Sequence, residues 1–134
     1  MAQSEIEKLI SVLDLEPHPE GGFFKETYRS EENHEPPEAF GIDGKRNIST
    51  AIYFLLLKGN FSAFHRIKQD EVWHHYLGGT IHIHSISPEG EYRKFSLGKN
   101  FEKGEEPQYV VPGGHWFASE TLDEFALAGC TVAP

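Results

Sequence analysis

A chain of 134 residues with 12 basic and 21 acidic side chains carries a formal charge of −9; 38% of it is apolar and 13% aromatic. That length suits one compact domain, 1–134, and leaves little room for two independent cores. The negative balance excludes the usual nucleic-acid binder, which needs a surplus of Lys and Arg to neutralise phosphates. Cys130 is the only cysteine, so no intramolecular disulfide is expected; with no signal-like start and no apolar run longer than Ala51 to Leu57, the expectation is a cytoplasmic protein with no membrane partner.

The first element is a short amino-terminal helix within 1–16. Ser4 and Glu7 have capping-box spacing, and Ile6, Leu9, Ile10 and Leu13 fall on one face, which should cover one side or end of a sheet. Pro17, lacking an N–H, is expected to stop it. The Pro17 to Gly22 segment reads as a turn serving the fold, its glycines allowing backbone angles that other residues resist.

From there the hydrophobic period changes from 3.6 to 2, and the barrel is placed at 20–133. Strands are expected over 23–30, 49–57, 62–67, 71–77, 80–87, 92–97, 108–111, 116–119 and 125–132, parted by turn residues at Gly59-Asn60, Gly78-Gly79, Pro88-Glu89-Gly90, Gly98-Lys99-Asn100 and Pro112-Gly113-Gly114. Short strands at regular spacing indicate a mainly β, antiparallel sandwich or barrel. Glu31 to Arg46, polar and rich in Pro and Gly, reads as one long loop.

Five of the eight histidines (His65, His74, His75, His82 and His84) fall within twenty residues, with Asp70 and Glu71 among them. Imidazole offers a neutral nitrogen for a metal or a proton relay near pH 7, and a carboxylate can orient it. Alternation puts Glu71, Trp73 and His75 on one face of their strand and Val72, His74 and Tyr76 on the other. Burying Ile81 and Ile83 leaves His82 and His84 outside, on a solvated face or a subunit contact.

Gly59, His65, Ile67, Glu71 and Gly78 follow the spacing G-x5-H-x-I-x3-E-x6-G, which resembles the first cupin motif with isoleucine at its second histidine, and Pro112-Gly113-Gly114 resembles the turn of the second motif. The stretches Pro17 to Phe23, Glu26 to Ser30, Ser49 to Leu56, Asp70 to His74 and Gly129 to Pro134 together resemble the cupin-5 family over nearly the whole chain. That resemblance implies a cupin double-stranded β-helix, an RmlC-like jelly-roll barrel shared with germins and dTDP-sugar epimerases, usually a homodimer and without an established reaction. Family members usually continue past the Ala-Pro pair into another strand, so the expectation is either that the sequence is shortened after Pro134 or that a sheet edge is left open, to be covered by a partner subunit, the 31–46 loop or the amino-terminal helix.

Metal-binding cupins present three histidines and a glutamate. Here His65 and Glu71 match two of those positions, whereas Ile67 and Phe117 occupy the other two. His75, and His115 on the strand of Phe117, are the candidates to complete a set; His65, Glu71 and His75 would then suffice for a divalent Zn, Ni, Mn or Fe ion. Without metal, His65 and Glu71 are placed for proton chemistry, with Tyr53 as a donor across the substrate. Phe24, Tyr28, Trp73, His75 and Phe117 are the expected ligand contacts. The resulting expectation is a small-molecule-binding cupin, an isomerase or epimerase acting on a carbohydrate-like or sugar-nucleotide substrate. A non-catalytic ligand-binding or sensing cupin and a metal-dependent oxygenase or hydrolase are the alternatives.

Overall fold

The computed structural model describes residues 2–34 and 46–133. Helix α1 (Ala2–Val12) begins two residues before Ser4, so Ser4 lies inside it rather than at its N-cap. It ends well short of Pro17. Asp14 takes a left-handed backbone (φ 55°), and the Leu15 N–H reaches back to the Ile10 carbonyl at 2.9 Å, closing the helix through its own last carbonyls. Pro17 instead lies in the short strand β1 (Glu16–Pro17).

The strands that follow are β2 (Phe23–Arg29), β3 (Asn33–His34), β4 (Arg46–Asn47), β5 (Thr50–Leu57), β6 (His65–Arg66), β7 (Glu71–Gly78), β8 (Ile81–Ile86), β9 (Tyr92–Leu97), β10 (Gln108–Val111), β11 (Trp116–Thr121) and β12 (Phe125–Val132). The strand expected over 62–67 is regular only at its His65–Arg66 end. In the expected long loop, β3 pairs with β4; residues 35–45 of that loop lie outside the described residues.

Two antiparallel sheets form the barrel, ordered β1-β2-β5-β12-β7-β10 and β6-β11-β8-β9. Strand β12 sits in the middle of the larger sheet, between β5 and β7, and the sheet edges among the described residues are β1, β10, β6 and β9. Alternation along β8 buries Ile81 and Ile83 and turns His82 and His84 outward. The inner faces of both sheets supply one core, with Leu56, Trp73, Ile83, Leu97 and Phe117 among its members. On the outer face of the larger sheet, Ile6, Leu9, Ile10 and Leu13 of the helix segment pack against Leu55, Phe125 and Leu127, as the helical spacing implied. No helix among the described residues is long and apolar enough to cross a membrane.

The turn between β1 and β2 brings the amino-terminal segment against the barrel. It is held by hydrogen bonds from the His18 N–H to the Gly22 carbonyl (2.9 Å) and from the Gly21 N–H to the His18 carbonyl (3.0 Å). Gly22 has φ +77°, and a Cβ there would stand 2.6 Å from the Leu55 carbonyl oxygen; Gly21 has φ +104° with nothing within 4 Å of an added Cβ. Both alanine substitutions strain the backbone, and only Gly22→Ala also collides with β5. Gly22→Ala is expected to lower unfolding free energy by about 1–3 kcal/mol and Gly21→Ala by less, read from urea denaturation. Equal losses would show that the close approach to Leu55 carries no energy.

Candidate functional site

Between the sheets lies a cavity of about 50 Å³, or about 350 Å³ with its open mouth counted. Strand β5 contributes Ile52 and Phe54, β7 Glu71 and Trp73, β11 Phe117 and Ser119, and β12 Cys130. Ser62 and His65 come from the segment ending in β6, and the β1–β2 turn adds His18 and Glu20. The loop joining β6 to β7 is fixed against the turn joining β10 to β11: the Gly114 N–H donates to the Ile67 carbonyl and the Gly113 N–H to Asp70 Oδ1, both at 2.8 Å. That clamp sets the ends of β6 and β7, hence where His65 and Glu71 project.

His65 is oriented by acceptors. Its Nδ1 lies 3.1 Å from the Ala63 carbonyl oxygen and 3.2 Å from Glu20 Oε2. Neither group can donate when the carboxylate is ionised, so the ring proton sits on Nδ1 and the Nε2 lone pair is free. The ring packs on Phe117, centroids 4.3 Å apart, across the β6–β11 pairing of these two residues.

His18 has the opposite tautomer. Its Nδ1 accepts the Glu20 backbone N–H at 3.0 Å, leaving the proton on Nε2. Its ring meets Phe24 and Phe54 edge-on, at 4.9 and 5.4 Å. Burial lowers its pKa; the Glu20 carboxylate opposes that and His65 adds to it, so His18 is neutral at pH 7.

Glu71 accepts a 2.8 Å hydrogen bond from the Trp73 indole Nε1–H. Burial pushes its carboxyl upward, more than the Trp73 hydrogen bond and His65 pull it back. Beside it, burial first and then the Glu71 charge drive the Cys130 thiol well above its ordinary value, so it remains a protonated thiol rather than a nucleophile. Ser62 and Ser119 form a buried polar pair, their hydroxyl oxygens 3.3 Å apart, with the Ser119 N–H donating to Ser62 Oγ at 2.8 Å.

The cavity thus gathers His65, Glu71, Trp73 and Phe117 from the residues singled out in the sequence. Tyr53 lies elsewhere: it alternates with the inward Ile52 and Phe54 and packs in the outer cluster beneath the helix. Tyr28 is 56% exposed, because a register shift between Glu26 and Tyr28 pairs it with the outward Ala51. Phe24 packs on the inner core behind His18 without lining the cavity. His75 faces inward, but four residues along β7 from Glu71 is about 13 Å. There its Nε2 bonds the Gly79 carbonyl at 2.7 Å.

Consequently His65, Glu71 and His75 do not form a metal triad, and His115 does not line the cavity either. Among the described residues no three His, Cys, Asp or Glu side chains are grouped to hold a metal ion. Ile67, packed against the core, and Phe117, 1% exposed, occupy the other ligand positions with hydrocarbon. The donor set does not fit the metal centre that the cupin motifs imply. His82 and His84 lie on the outer face, where His84 is held by Tyr92 Oη at 2.7 Å and Glu120 Oε2 at 2.8 Å.

Sequence reasoning missed His18 and Glu20. Their signal was two ionisable side chains inside a Pro- and Gly-rich turn, where a purely structural turn needs neither.

A two-sheet jelly roll with its cavity between motif-bearing strands defines a cupin barrel. The model of the family described as Cupin superfamily (DUF985) matches residues 7–134, and the chain belongs to that family. It is 35% identical to an uncharacterized Saccharomyces cerevisiae protein, YML079W, over 98% of this chain and 71% of that one. Among solved structures, a hypothetical protein from Leishmania major is similar at a TM-score of 0.85 and 34% identity, covering 96% of this chain and 80% of that one. A protein from Shewanella oneidensis gives 0.83 and 42%, covering 96% and 77%. Oxalate decarboxylase of Bacillus subtilis, whose Mn(II) centres have been characterised, shares the fold at a TM-score of 0.62 and 15% identity, covering 90% of this chain and 28% of that one.

Because burial raises Glu71 above its unfolded value, the folded protein binds the extra proton between those two values, and stability falls as pH rises through the folded one. Glu71→Gln keeps an oxygen for the Trp73 N–H and removes the charge. The variant is expected to match the wild type below the ordinary carboxylate range and to melt higher at pH 7, by about 4 °C for each kcal/mol relieved. Melting temperatures across pH test this; a variant less stable at pH 7 would show that burial does not dominate at Glu71.

Proposed function

We propose that this cavity binds a small carbohydrate-like molecule and moves a proton on it, the chemistry of an isomerase or epimerase acting beside a carbonyl. The observation that carries the reading is the His65 imidazole with Nδ1 committed to the Ala63 carbonyl and Glu20, so that its Nε2 is a base, in the same cavity as a carboxyl pushed toward its protonated form. In the reaction His65 Nε2 takes the proton from the carbon next to the carbonyl, and the Glu71 carboxylic acid gives its proton to the carbonyl oxygen. The product of that half is an enediol. Return of the His65 proton to the neighbouring carbon, with Glu71 recovering a hydroxyl proton, completes an isomerisation with no net change in protons.

Glu20 stabilises the imidazolium formed midway, since its carboxylate already lies against Nδ1. Phe54, Trp73 and Phe117 supply an apolar wall that excludes water from the reacting carbons. The inner 50 Å³ takes only the reacting end of a sugar-sized molecule, and the remainder sits in the mouth. No step uses a metal: the Mn(II) centres of the oxalate decarboxylase do not transfer to a donor set with Ile67 and Phe117 in it.

The test is deuterium wash-in from D2O, followed by NMR, over a panel of small aldoses and ketoses. Wild-type protein is expected to label the carbon beside the carbonyl of at least one of them, and EDTA should leave that rate unchanged. His65→Ala and Glu71→Gln should each slow it by about 100-fold or more. A bound sugar that never exchanges, or exchanges equally in both variants, would remove the catalytic part of the reading.

A further inference from the structure

The ionisable side chains that line the cavity, Cys130 apart, are carboxylates or imidazoles; no lysine or arginine among the described residues takes part. We infer that the cavity selects neutral or cationic, nitrogen-bearing groups, as in an amino- or amido-substituted polyol, and shuts out carboxylate and phosphate. This rests on reading the cavity as a small-molecule site and narrows what enters it.

Glu20 and Glu71 bring carboxyl oxygens, and His65 brings the Nε2 lone pair left by its bonded Nδ1. The Ser62 and Ser119 hydroxyls are bonded to each other and to the Ser119 carbonyl, which leaves the Nε2–H of His18, neutral at pH 7, as the imidazole donor. An entering carboxylate or phosphate would therefore meet the Glu20 carboxylate and a lone pair, and it would hold Glu71 in its neutral form. An amine or amidine meets those acceptors with N–H groups and stabilises either carboxylate.

The walls act in the same direction. Phe54, Trp73 and Phe117 make the rest of the lining apolar, so a charge that enters is poorly screened from the carboxyl groups. The protein's overall charge of −9 adds a long-range field of the same sign. Burial raises the Glu71 carboxyl more than the Trp73 N–H and His65 lower it, and a cation bound in the same cavity would supply the remaining compensation. A sugar nucleotide could then present only its uncharged part to the cavity, its phosphates remaining outside the mouth.

Acetamidinium, acetamide and acetate have one shape and charges of +1, 0 and −1, so they isolate this property. Each is titrated into the full chain at pH 7 and constant ionic strength while the indole N–H signals of its two tryptophans are followed by NMR. Trp73 reports the cavity, and Trp116, on the outer side of β11 and 42% exposed, reports non-specific binding. Acetamidinium is expected to shift the Trp73 signal at a concentration at least about tenfold lower than acetate does, with acetamide between them. Glu20→Gln and Glu71→Gln together should shrink that gap to less than about threefold.

Acetate acting as well as acetamidinium overturns the charge preference while the cavity stands as a binding site. A preference that survives in the double variant overturns its attribution to the two carboxylates. If none of the three moves the Trp73 signal by about 100 mM, the small-molecule reading fails and this inference with it.

Discussion

The contact between Glu20 and His65 joins the turn after β1 to the short strand β6, two segments that no sheet hydrogen bond connects directly. Its side chains are 40% and 34% exposed, so water screens the attraction, which is worth about 0–1 kcal/mol. Stability is therefore not what it supplies. It fixes which ring nitrogen carries the proton and turns the other into a base. The backbone geometry that allows it is Gly22, where the turn passes so close to Leu55 that no side chain fits.

Two carboxylates serve one cavity in different ways because their surroundings differ. Glu20, at the mouth and partly in water, holds a charge against His65. Glu71 has lost that water, and burial raises its pKa against the opposing pull of the Trp73 indole N–H and of His65. On the proposed reading, the His65 Nε2 lone pair and the raised Glu71 carboxyl in one small space are what moving a proton through a substrate requires.

Much of this was legible in the alternation of the sequence, and the failures have separate physical causes. The spacing of His65 and Glu71 and the isoleucine pattern of β8 placed the cavity and turned His82 and His84 outward, as observed. Parity failed at Tyr28 because one irregularity in β2 exchanges the faces beyond it. It was uninformative at Tyr53, where Thr50–Leu57 is almost wholly apolar: the barrel covers one face and the helix the other, so both read as buried. For His75 parity was right and reach was not, since a shared face says nothing about distance along the strand. His18 and Glu20 stand in an aperiodic turn, and only closure of the chain over the barrel shows where they face.

Replacing two metal-type ligand positions with Ile67 and Phe117 alters the chemistry of the glutamate that remains. In a metal-holding barrel a carboxylate at this place has its charge offset by a cation, and its proton is permanently displaced. Here hydrocarbon fills the space where other ligands would converge, and the compensation left is one indole N–H and the field of His65. Burial that would otherwise be balanced by the ion acts instead on the protonation equilibrium. On the proposed reading, hydrocarbon at those two positions leaves Glu71 to carry a proton and the His65 Nε2 to receive one.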